Sequence, residues 1–155
     1  MIIFMDLKKL LSQIPRDSLN ETLYTCLRAI HRFERTKVKR FGLNYEAIFL
    51  LQFLRRRSPS KMSEIAVEMD IPISTASRVV DRLEAKGLVT RRKDETDKRI
   101  MLVFLQPGGE EIVQEVENHT FDVISKNLEG FDEAQIRAFI ETAVNLEEML
   151  YVHPD

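Results

Sequence analysis

The sequence predicts a mainly α-helical fold with a small β-wing. Glycine and proline occur only five times each in 155 residues, and this leaves room for long helices because these residues are the commonest helix breakers. Apolar residues recur at helical spacing along most of the chain. By contrast, residues 89–92 and 100–105 show the alternating polarity or the continuous apolar run that is typical of strands. The charged residues 93–99 between them predict the loop of a hairpin.

The N-terminal part of the chain predicts two helices. Residues 6–14 carry leucine and isoleucine at helical spacing, and a second helix begins after Ser18 or Asn20, whose side chains suit an N-cap. The second helix runs to about Arg40. Gly42 ends it, because glycine tolerates the left-handed backbone that closes many helices.

The middle of the chain predicts three more helices, separated by short turns. Asn44 caps the first, which ends in the cations 55–57, and cations suit the negative end of a helix dipole. Residues 58–60 form a turn. A short helix near 62–69 then precedes a longer helix at about 74–86.

A hairpin and two helices complete the predicted order. The hairpin, or wing, spans about 89–105, and Pro107 then opens a helix that continues to Gly130. Asp132 caps a last helix that reaches about Leu150. We therefore expect a single domain over residues 1–155, with an N-terminal arm at 6–42, a winged helix-turn-helix lobe at 44–106 and C-terminal helices at 107–150.

Composition predicts a soluble globular protein, with 44% hydrophobic and 31% charged residues. No apolar run of 18 residues occurs, so we expect no membrane span. The short apolar start at 1–5 lacks the basic segment and cleavage site of a signal peptide. The single cysteine, Cys26, fits a reducing environment, and we expect a cytoplasmic protein.

The net charge of −2 conceals a strong asymmetry. Residues 1–54 and 55–100 each carry a net charge of +4, whereas residues 101–155 carry −10. A protein that binds nucleic acid needs a local basic surface more than a basic total. The charges therefore favour a nucleic-acid surface in the first two thirds of the chain and a solvated acidic face in the last third.

The predicted helix at 74–86 has two different faces. The core side is apolar and consists of Ala76, Val79, Val80 and Leu83. The other side is small, polar and cationic, with Ser74, Arg78, Asp81, Arg82 and Ala85, flanked by Thr75 and Ser77. Arginine can form two hydrogen bonds to guanine in the major groove, and hydroxyls can bind phosphates or base edges. The pattern alone also fits an ordinary amphipathic helix with a solvated polar side.

The hairpin that follows this helix favours DNA binding. Its cations Arg91, Arg92, Lys93, Lys98 and Arg99 surround three acidic residues, Asp94, Glu95 and Asp97. An aspartate can hold an arginine in one rotamer, which lowers the entropy cost of inserting it into a narrow minor groove. We assign Arg99 to the minor groove and Asp97 to orienting it.

At these residues the sequence resembles the MarR family of transcription regulators. Residues 74–89, STASRVVDRLEAKGLV, are similar to the recognition helix of the family, and Asp97-x-Arg99 is similar to its wing motif. Residues 105–109, LQPGG, lie where family members begin a long helix, although Gln106 replaces the usual threonine cap.

The resemblance implies a homodimeric, sequence-specific regulator whose terminal helices intertwine and whose two lobes bind a pseudo-palindrome in double-stranded DNA. Its simplest form is a repressor that a small ligand releases. The broad apolar faces of the flanking helices also favour a dimer, because little else in the chain can cover them. Carried over residue by residue, the DNA-binding positions are Ser74, Thr75, Ser77, Arg78, Arg82 and Arg99, with Asp97 orienting.

The resemblance further implies a site for a small phenolic or other anionic aromatic ligand between the arm and the lobe. Apolar walls with one or two cations suit such a ligand. The candidates are Arg28, His31 and Arg32 on the first long helix and Tyr45 and Phe49 on the next. The same residues also fit helix packing and surface solvation.

Two alternatives remain open at the level of sequence. One branch of the family senses oxidants through a cysteine on the first helix, and Cys26 lies on that helix, although a lone cysteine is usually a small core residue. The other alternative is a winged-helix module whose polar helix docks on a protein.

Enzymatic function is not expected from the motifs. His31, His119 and His153 are far apart and show no metal-ligand spacing. The sequence has no glycine-rich phosphate loop, no nucleophile elbow and no recognisable pair of catalytic carboxylates. We therefore expect no metal and no cofactor.

Overall fold

The computed structural model describes residues 13–151, which contain seven helices and three strands. The helices are α1 (Arg16–Phe41), α2 (Tyr45–Arg57), α3 (Met62–Glu68), α4 (Ile73–Ala85), α5 (Pro107–Leu128), α6 (Glu133–Val144) and α7 (Leu146–Met149). The strands are β1 (Ser60–Lys61), β2 (Val89–Lys93) and β3 (Met101–Leu105). The predicted mainly α-helical fold with a small β-wing is confirmed. The helix predicted at 6–14 lies almost entirely outside the described residues.

The long helix α1 begins earlier than the sequence predicts. Its N-cap is Pro15, whose extended backbone starts a new helix and whose ring removes the N–H that a continuous helix would need. The predicted caps Ser18 and Asn20 lie inside the helix, so that prediction is wrong. At the other end Gly42 adopts a φ of 65°, as expected for a left-handed cap.

Both ends of α2 agree with the sequence prediction. The Asn44 side chain accepts a hydrogen bond from the Ala47 amide at 3.1 Å. The last turn contains the three predicted arginines. One of them, Arg55, places its Nε 3.3 Å from the Glu110 Oε1 in the first turn of α5, which links the two helices.

The chain divides into two compact units, with the boundary inside α5 after Val113. The core of the first unit forms where α2, α3, α4 and the wing strands meet. Its most deeply buried apolar side chains are Ile48, Leu50, Leu51, Leu54, Ile65, Ala76, Val79, Val80, Leu83, Val89, Val103 and Val113. In the second unit, α6 and α7 contain no buried residue. No helix within residues 13–151 is long and apolar enough to cross a membrane.

The sheet is antiparallel, with the strand order β1-β3-β2. Ser60 of β1 pairs with Val103 of β3, and Lys93 of β2 pairs with Met101. The sequence prediction missed β1 because two residues are too short to show alternation. It also placed Lys93 in the loop and Ile100 in a strand, whereas Lys93 ends β2 and Ile100 lies just before β3.

The predicted last helix is interrupted. Asp132 caps α6 as expected, in a reciprocal capping box with Gln135. The helix then stops at Asn145, where the side-chain amide donates to the Glu141 carbonyl at 2.8 Å, and a short helix follows. A side chain that bonds to the backbone of the preceding turn competes with regular helix continuation.

The first turn of α5 is packed tightly against the start of the wing. Pro107 opens the helix as predicted, and the Gln106 carbonyl, rather than its side chain, accepts the Glu110 amide at 2.9 Å. A Cβ added at Gly109 would overlap the Leu88 carbonyl oxygen. Only glycine allows this close approach of two backbones.

Candidate nucleic-acid interface

The helix α4 contacts the core with one face and presents the other to solvent. The predicted core residues Ala76, Val79, Val80 and Leu83 are at most 1% exposed. The predicted DNA-facing residues are exposed at Ser74, Thr75, Arg78 and Arg82 and half-buried at Ser77. The structure therefore brings five of the predicted site residues together on one helix face.

The turn before α4 sets the direction of this helix relative to α3. Asp70 adopts a φ of 49°, a left-handed conformation that aspartate tolerates better than most residues. The Ile71 amide donates to the Ala66 carbonyl at 3.1 Å. Pro72 then provides the N-cap of α4. Together α3, this turn and α4 form a helix-turn-helix.

A Schellman motif joins α4 directly to the wing. Gly87 has a φ of 70° and donates to the Glu84 carbonyl at 2.9 Å, while the Leu88 amide donates to the Leu83 carbonyl at 3.0 Å. Both leucines are buried, as the hydrophobic contact of this motif requires. The wing strand β2 therefore starts at a fixed angle, only two residues after Gly87.

Asp94 organises the loop at the tip of the wing. Its Oδ1 accepts hydrogen bonds from the Thr96 hydroxyl and from the amides of Thr96 and Asp97. The Thr96 hydroxyl bond, followed by the amide bonds from Asp97 and Thr96, lowers the pKa of Asp94 to about 2. The loop is closed further by the Asp94 amide, which donates to the Ile100 carbonyl at 3.0 Å.

Asp97 contacts Arg99 through the backbone. Its Oδ1 accepts the Arg99 amide at 3.0 Å, whereas the sequence prediction had it hold the guanidinium. Aspartate commonly binds the amide two residues ahead in this way. Asp97 therefore shapes the loop on which Arg99 is exposed.

Arg91 in β2 forms ion pairs with two acidic residues of α4. Its Nε and Nη2 lie 2.9 and 2.7 Å from Glu84 Oε2, and Nη2 lies 2.6 Å from Asp81 Oδ1. The Arg91 backbone amide donates to the other oxygen of Glu84 at 2.8 Å. We call these three residues the hinge cluster.

Hydrogen bonding dominates the electrostatics of the hinge cluster. The Arg91 backbone amide, and next the Arg91 side chain, lower the pKa of the Glu84 carboxyl. The Glu84 hydrogen bond in turn raises the pKa of Arg91. The sequence prediction missed this cluster: it counted Arg91 among the cations of the wing and Asp81 among the exposed residues. The signal was an acid and a base seven residues apart on either side of the Gly87 turn.

The predicted ligand residues lie in separate places. His31 and Arg32 line a shallow hollow of about 340 Å³ along α1. Phe49 lines another hollow, of about 250 Å³, with residues of α2 and α3. The rings of Tyr45 and Phe49 lie 6.1 Å apart. The Arg28 guanidinium lies 5.8 Å from the ring centroid of Tyr24 on its own helix.

Cys26 is exposed on α1 rather than buried as a core residue. Its sensing role remains a prediction, which the peroxide response of a Cys26→Ser variant would test. Within residues 13–151 no group of three or more His, Cys, Asp or Glu side chains could hold a metal ion.

Comparison with known proteins identifies the family. The family sequence model of the MarR family matches residues 43–101, which contain α2, the helix-turn-helix, β2 and the loop of the wing. The HTH-type transcriptional regulator MgrA of Staphylococcus aureus is 28% identical over 137 residues, which cover 82% of this chain and 93% of MgrA. Residues 43–101 belong to the MarR family.

Another relative and two solved structures are also similar to this chain. The HTH-type transcriptional regulator YsmB of Bacillus subtilis is 30% identical over 97 residues, which span 63% of this chain and just under two thirds, 66%, of YsmB. A MarR family protein from Bacillus stearothermophilus has a TM-score of 0.75 at 24% identity and covers 88% of this chain and 99% of its own. Streptococcus pneumoniae FabT, solved in complex with DNA, has a TM-score of 0.75 at 19% identity, covering 88% of this chain and 97% of FabT.

Proposed function

We propose that this MarR-family regulator is a homodimeric repressor that binds a pseudo-palindromic operator and leaves it when a small ligand binds. One observation carries the proposal: the polar face of α4 and the exposed wing loop with Arg99 belong to the same compact unit. A helix fits the major groove of B-DNA, and an arginine suits a narrow minor groove. Such a regulator works in the cytoplasm, where its operator is.

The residues of α4 take different roles in this proposal. Arg78 and Arg82 are the long cationic side chains of the exposed face, and they contact guanine edges or phosphates. Ser74, Thr75 and Ser77 are short enough to let the helix backbone approach the groove, and their hydroxyls bind phosphates or base edges. Arg99 enters the minor groove from the loop that Asp97 shapes.

The exposed apolar side chains of the helices outside the lobe support the homodimer. In α1, Leu19, Leu23, Leu27 and Ile30 follow one another at helical spacing and are 41–65% exposed. In the second unit the exposed apolar residues are Phe121, Ile124, Phe131, Phe139, Ile140, Val144, Leu146, Met149, Leu150 and Tyr151. Apolar surfaces of this extent mark interaction sites in soluble proteins, and a two-fold dimer covers them in both copies at once.

The hollow on α1 supports a ligand that is anionic. Its lining combines the imidazole of His31 with three cations, Arg32, Arg35 and Lys39. A carboxylate or phenolate suits this set of groups, because charge-assisted hydrogen bonds to arginine are stronger than neutral ones. Benzoate as a probe should shift the amide signals of these residues, and the shift should be lost in Arg32→Ala.

The proposed function is tested by DNA selection followed by quantitative binding. The wild type should retain short duplexes from a random pool, and its affinity for the selected duplex should fall steeply with salt. Arg78→Ala should weaken specific binding about tenfold or more, because a paired arginine–guanine contact is worth about 1–3 kcal/mol of discrimination. Arg99→Ala should weaken binding most on duplexes with A·T-rich minor grooves.

The matched control is Arg137→Ala, which removes an exposed arginine that pairs with Glu133 in the acidic second unit. This variant should bind the selected duplex like the wild type. If no duplex is enriched, or if Arg78→Ala and Arg99→Ala bind as well as the wild type, the assignment of these residues is wrong. A salt-independent complex with a protein would favour the alternative of a protein-interaction module.

A further inference from the structure

Arg91 connects α4 to the wing, the two elements of the lobe proposed to bind DNA. It lies in the middle of β2 and not in the loop at the tip of the wing. Its guanidinium binds Glu84 with two nitrogens and Asp81 with one, and its amide binds the second oxygen of Glu84. Arg91 therefore joins β2 to α4 through its backbone amide as well as through its side chain. The side chains of Arg91 and Glu84 are only 27% and 33% exposed, so water screens this contact less than it would a surface ion pair.

We propose that Arg91 is a positioning residue that sets the wing relative to α4, so that Arg99 and Arg78 reach their two grooves together. This inference rests on the proposed function. The guanidinium of Arg91 is already engaged by two carboxylates, and therefore it contributes to DNA binding through Arg99 and not by contacting a phosphate.

The geometry of the wing explains why such a residue is needed. Beyond the end of β1 at Lys61 the wing consists of β2 and β3 alone, and a two-stranded ribbon is marginally stable by itself. The loop that carries Arg99 begins three residues beyond Arg91, which corresponds to about 10 Å of extended strand. A small rotation at the base of the ribbon is therefore amplified at its tip. Fixing the base in advance lowers the cost of ordering the wing when DNA binds.

The charges of the hinge cluster lead to a distinctive expectation. Asp81 and Glu84 are anions on a helix that approaches phosphates, so neutralising either of them would strengthen DNA binding if only long-range electrostatics mattered. If the cluster positions the wing, neutralisation should weaken binding instead. The two explanations predict effects of opposite sign.

The first test is a double-mutant cycle between Arg91 and Arg99, measured as affinity for the selected duplex. Arg91→Met should weaken binding about tenfold in the wild-type background and less than about twofold in an Arg99→Ala background, because the contact it positions is then absent. Equal losses in both backgrounds, together with a smaller salt dependence, would identify a direct phosphate contact and overturn the inference.

The second test uses conservative variants. Arg91→Lys keeps the charge but loses the planar fork, so it should weaken binding like Arg91→Met if positioning is the role. Glu84→Gln and Asp81→Asn should also weaken binding. Stronger binding by both, or full binding by Arg91→Lys, would overturn the inference. Because Asp81 is the most exposed member of the cluster, Asp81→Asn remains informative even if changes at Arg91 lower the melting temperature.

The matched control is Arg92→Met in the next position of β2. Its guanidinium lies 5.3 Å from the ring centroid of Phe104 rather than against α4. Arg92→Met should change the affinity for the selected duplex by the same factor in the wild-type and the Arg99→Ala backgrounds. If the wild type selects no duplex, the proposed function fails. If the wild type binds and the Arg91–Arg99 cycle is additive, only the positioning role fails.

Discussion

At the scale of single residues, the Asp94 carboxylate holds the tip of the wing. It accepts three hydrogen bonds within the loop, and its pKa is lowered to about 2 from an ordinary value of 3.8. A carboxyl whose pKa is lower in the folded state stabilises that state above its unfolded pKa. The contribution is lost as the pH falls from about 4 toward 2. The order of the wing loop should therefore persist at pH 5 and decline only in strong acid.

This prediction can be checked by following the side-chain carboxyl carbon of Asp94 by NMR as the pH falls. With a pKa of about 2, about nine tenths of the group remains ionised at pH 3. Thr96→Ala removes the hydroxyl whose hydrogen bond contributes most to the lowered pKa of Asp94, and the pKa should move toward 3.8. A wild-type midpoint near 3.8 would show that the three hydrogen bonds do not persist in solution.

Residue-level predictions succeeded where the signal was local. Asn44 and Asp132 are caps whose side chains bond three residues ahead, and both were predicted from their position before an apolar run. Ser18 and Asn20 carried the same signal, but Pro15 had already started the helix. The contact of Asp97 with the Arg99 backbone could not be predicted, because the same pair also fits a side-chain ion pair.

At the scale of elements, Gly109 determines how closely α5 approaches the wing. Gly109→Ala should destabilise the fold by about 1–3 kcal/mol, because the new methyl group would overlap the Leu88 carbonyl and the Leu105 side chain. The neighbouring Gly108 is a matched control, since a Cβ there would meet Leu88 Cδ2 at an ordinary 3.6 Å. Gly108→Ala should be neutral or stabilise by up to about 1 kcal/mol, because alanine favours a helix over glycine.

Chemical denaturation of both variants measures this difference directly. The midpoint should fall for Gly109→Ala and stay constant or rise for Gly108→Ala. Equal midpoints would mean that the backbone at Leu88 moves aside without cost and that the close approach is not a structural requirement.

Elements with a strong period were predicted from the sequence, and non-local contacts were not. The two faces of α4 follow from its 3.6-residue repeat, and the wing follows from two apolar runs around a charged loop. The strand β1 pairs with a strand more than 40 residues away and has only two residues, so no periodicity marks it. The hinge cluster was missed for a similar reason, since its partners meet only once Gly87 turns the chain.

At the scale of the whole molecule, the apolar stripe of α1 predicts the oligomeric state. Leu27 is 65% exposed in this stripe, and covering a leucine side chain fully is worth about 1.5–3 kcal/mol. Leu27→Glu should therefore shift a dimer of 18.1 kDa chains toward monomers. Sedimentation equilibrium measures the shift, and operator binding should weaken in parallel because each lobe then binds alone.

Thr25→Glu introduces the same charge about half a turn away, on the opposite face of α1, where the side chain is also exposed. This variant should sediment like the wild type. A wild type that is monomeric at concentrations that saturate the operator would exclude the proposed dimer.

The ordered wing loop also indicates where binding specificity can be altered. The bonds that define its shape involve the Asp94 and Asp97 carboxylates, the Thr96 hydroxyl and the backbone. Glu95 and Lys98 contribute no side-chain hydrogen bond to this frame. Their side chains can therefore be randomised in a library while the loop keeps its conformation. Under the proposed function, such a library would yield wings with new minor-groove preferences.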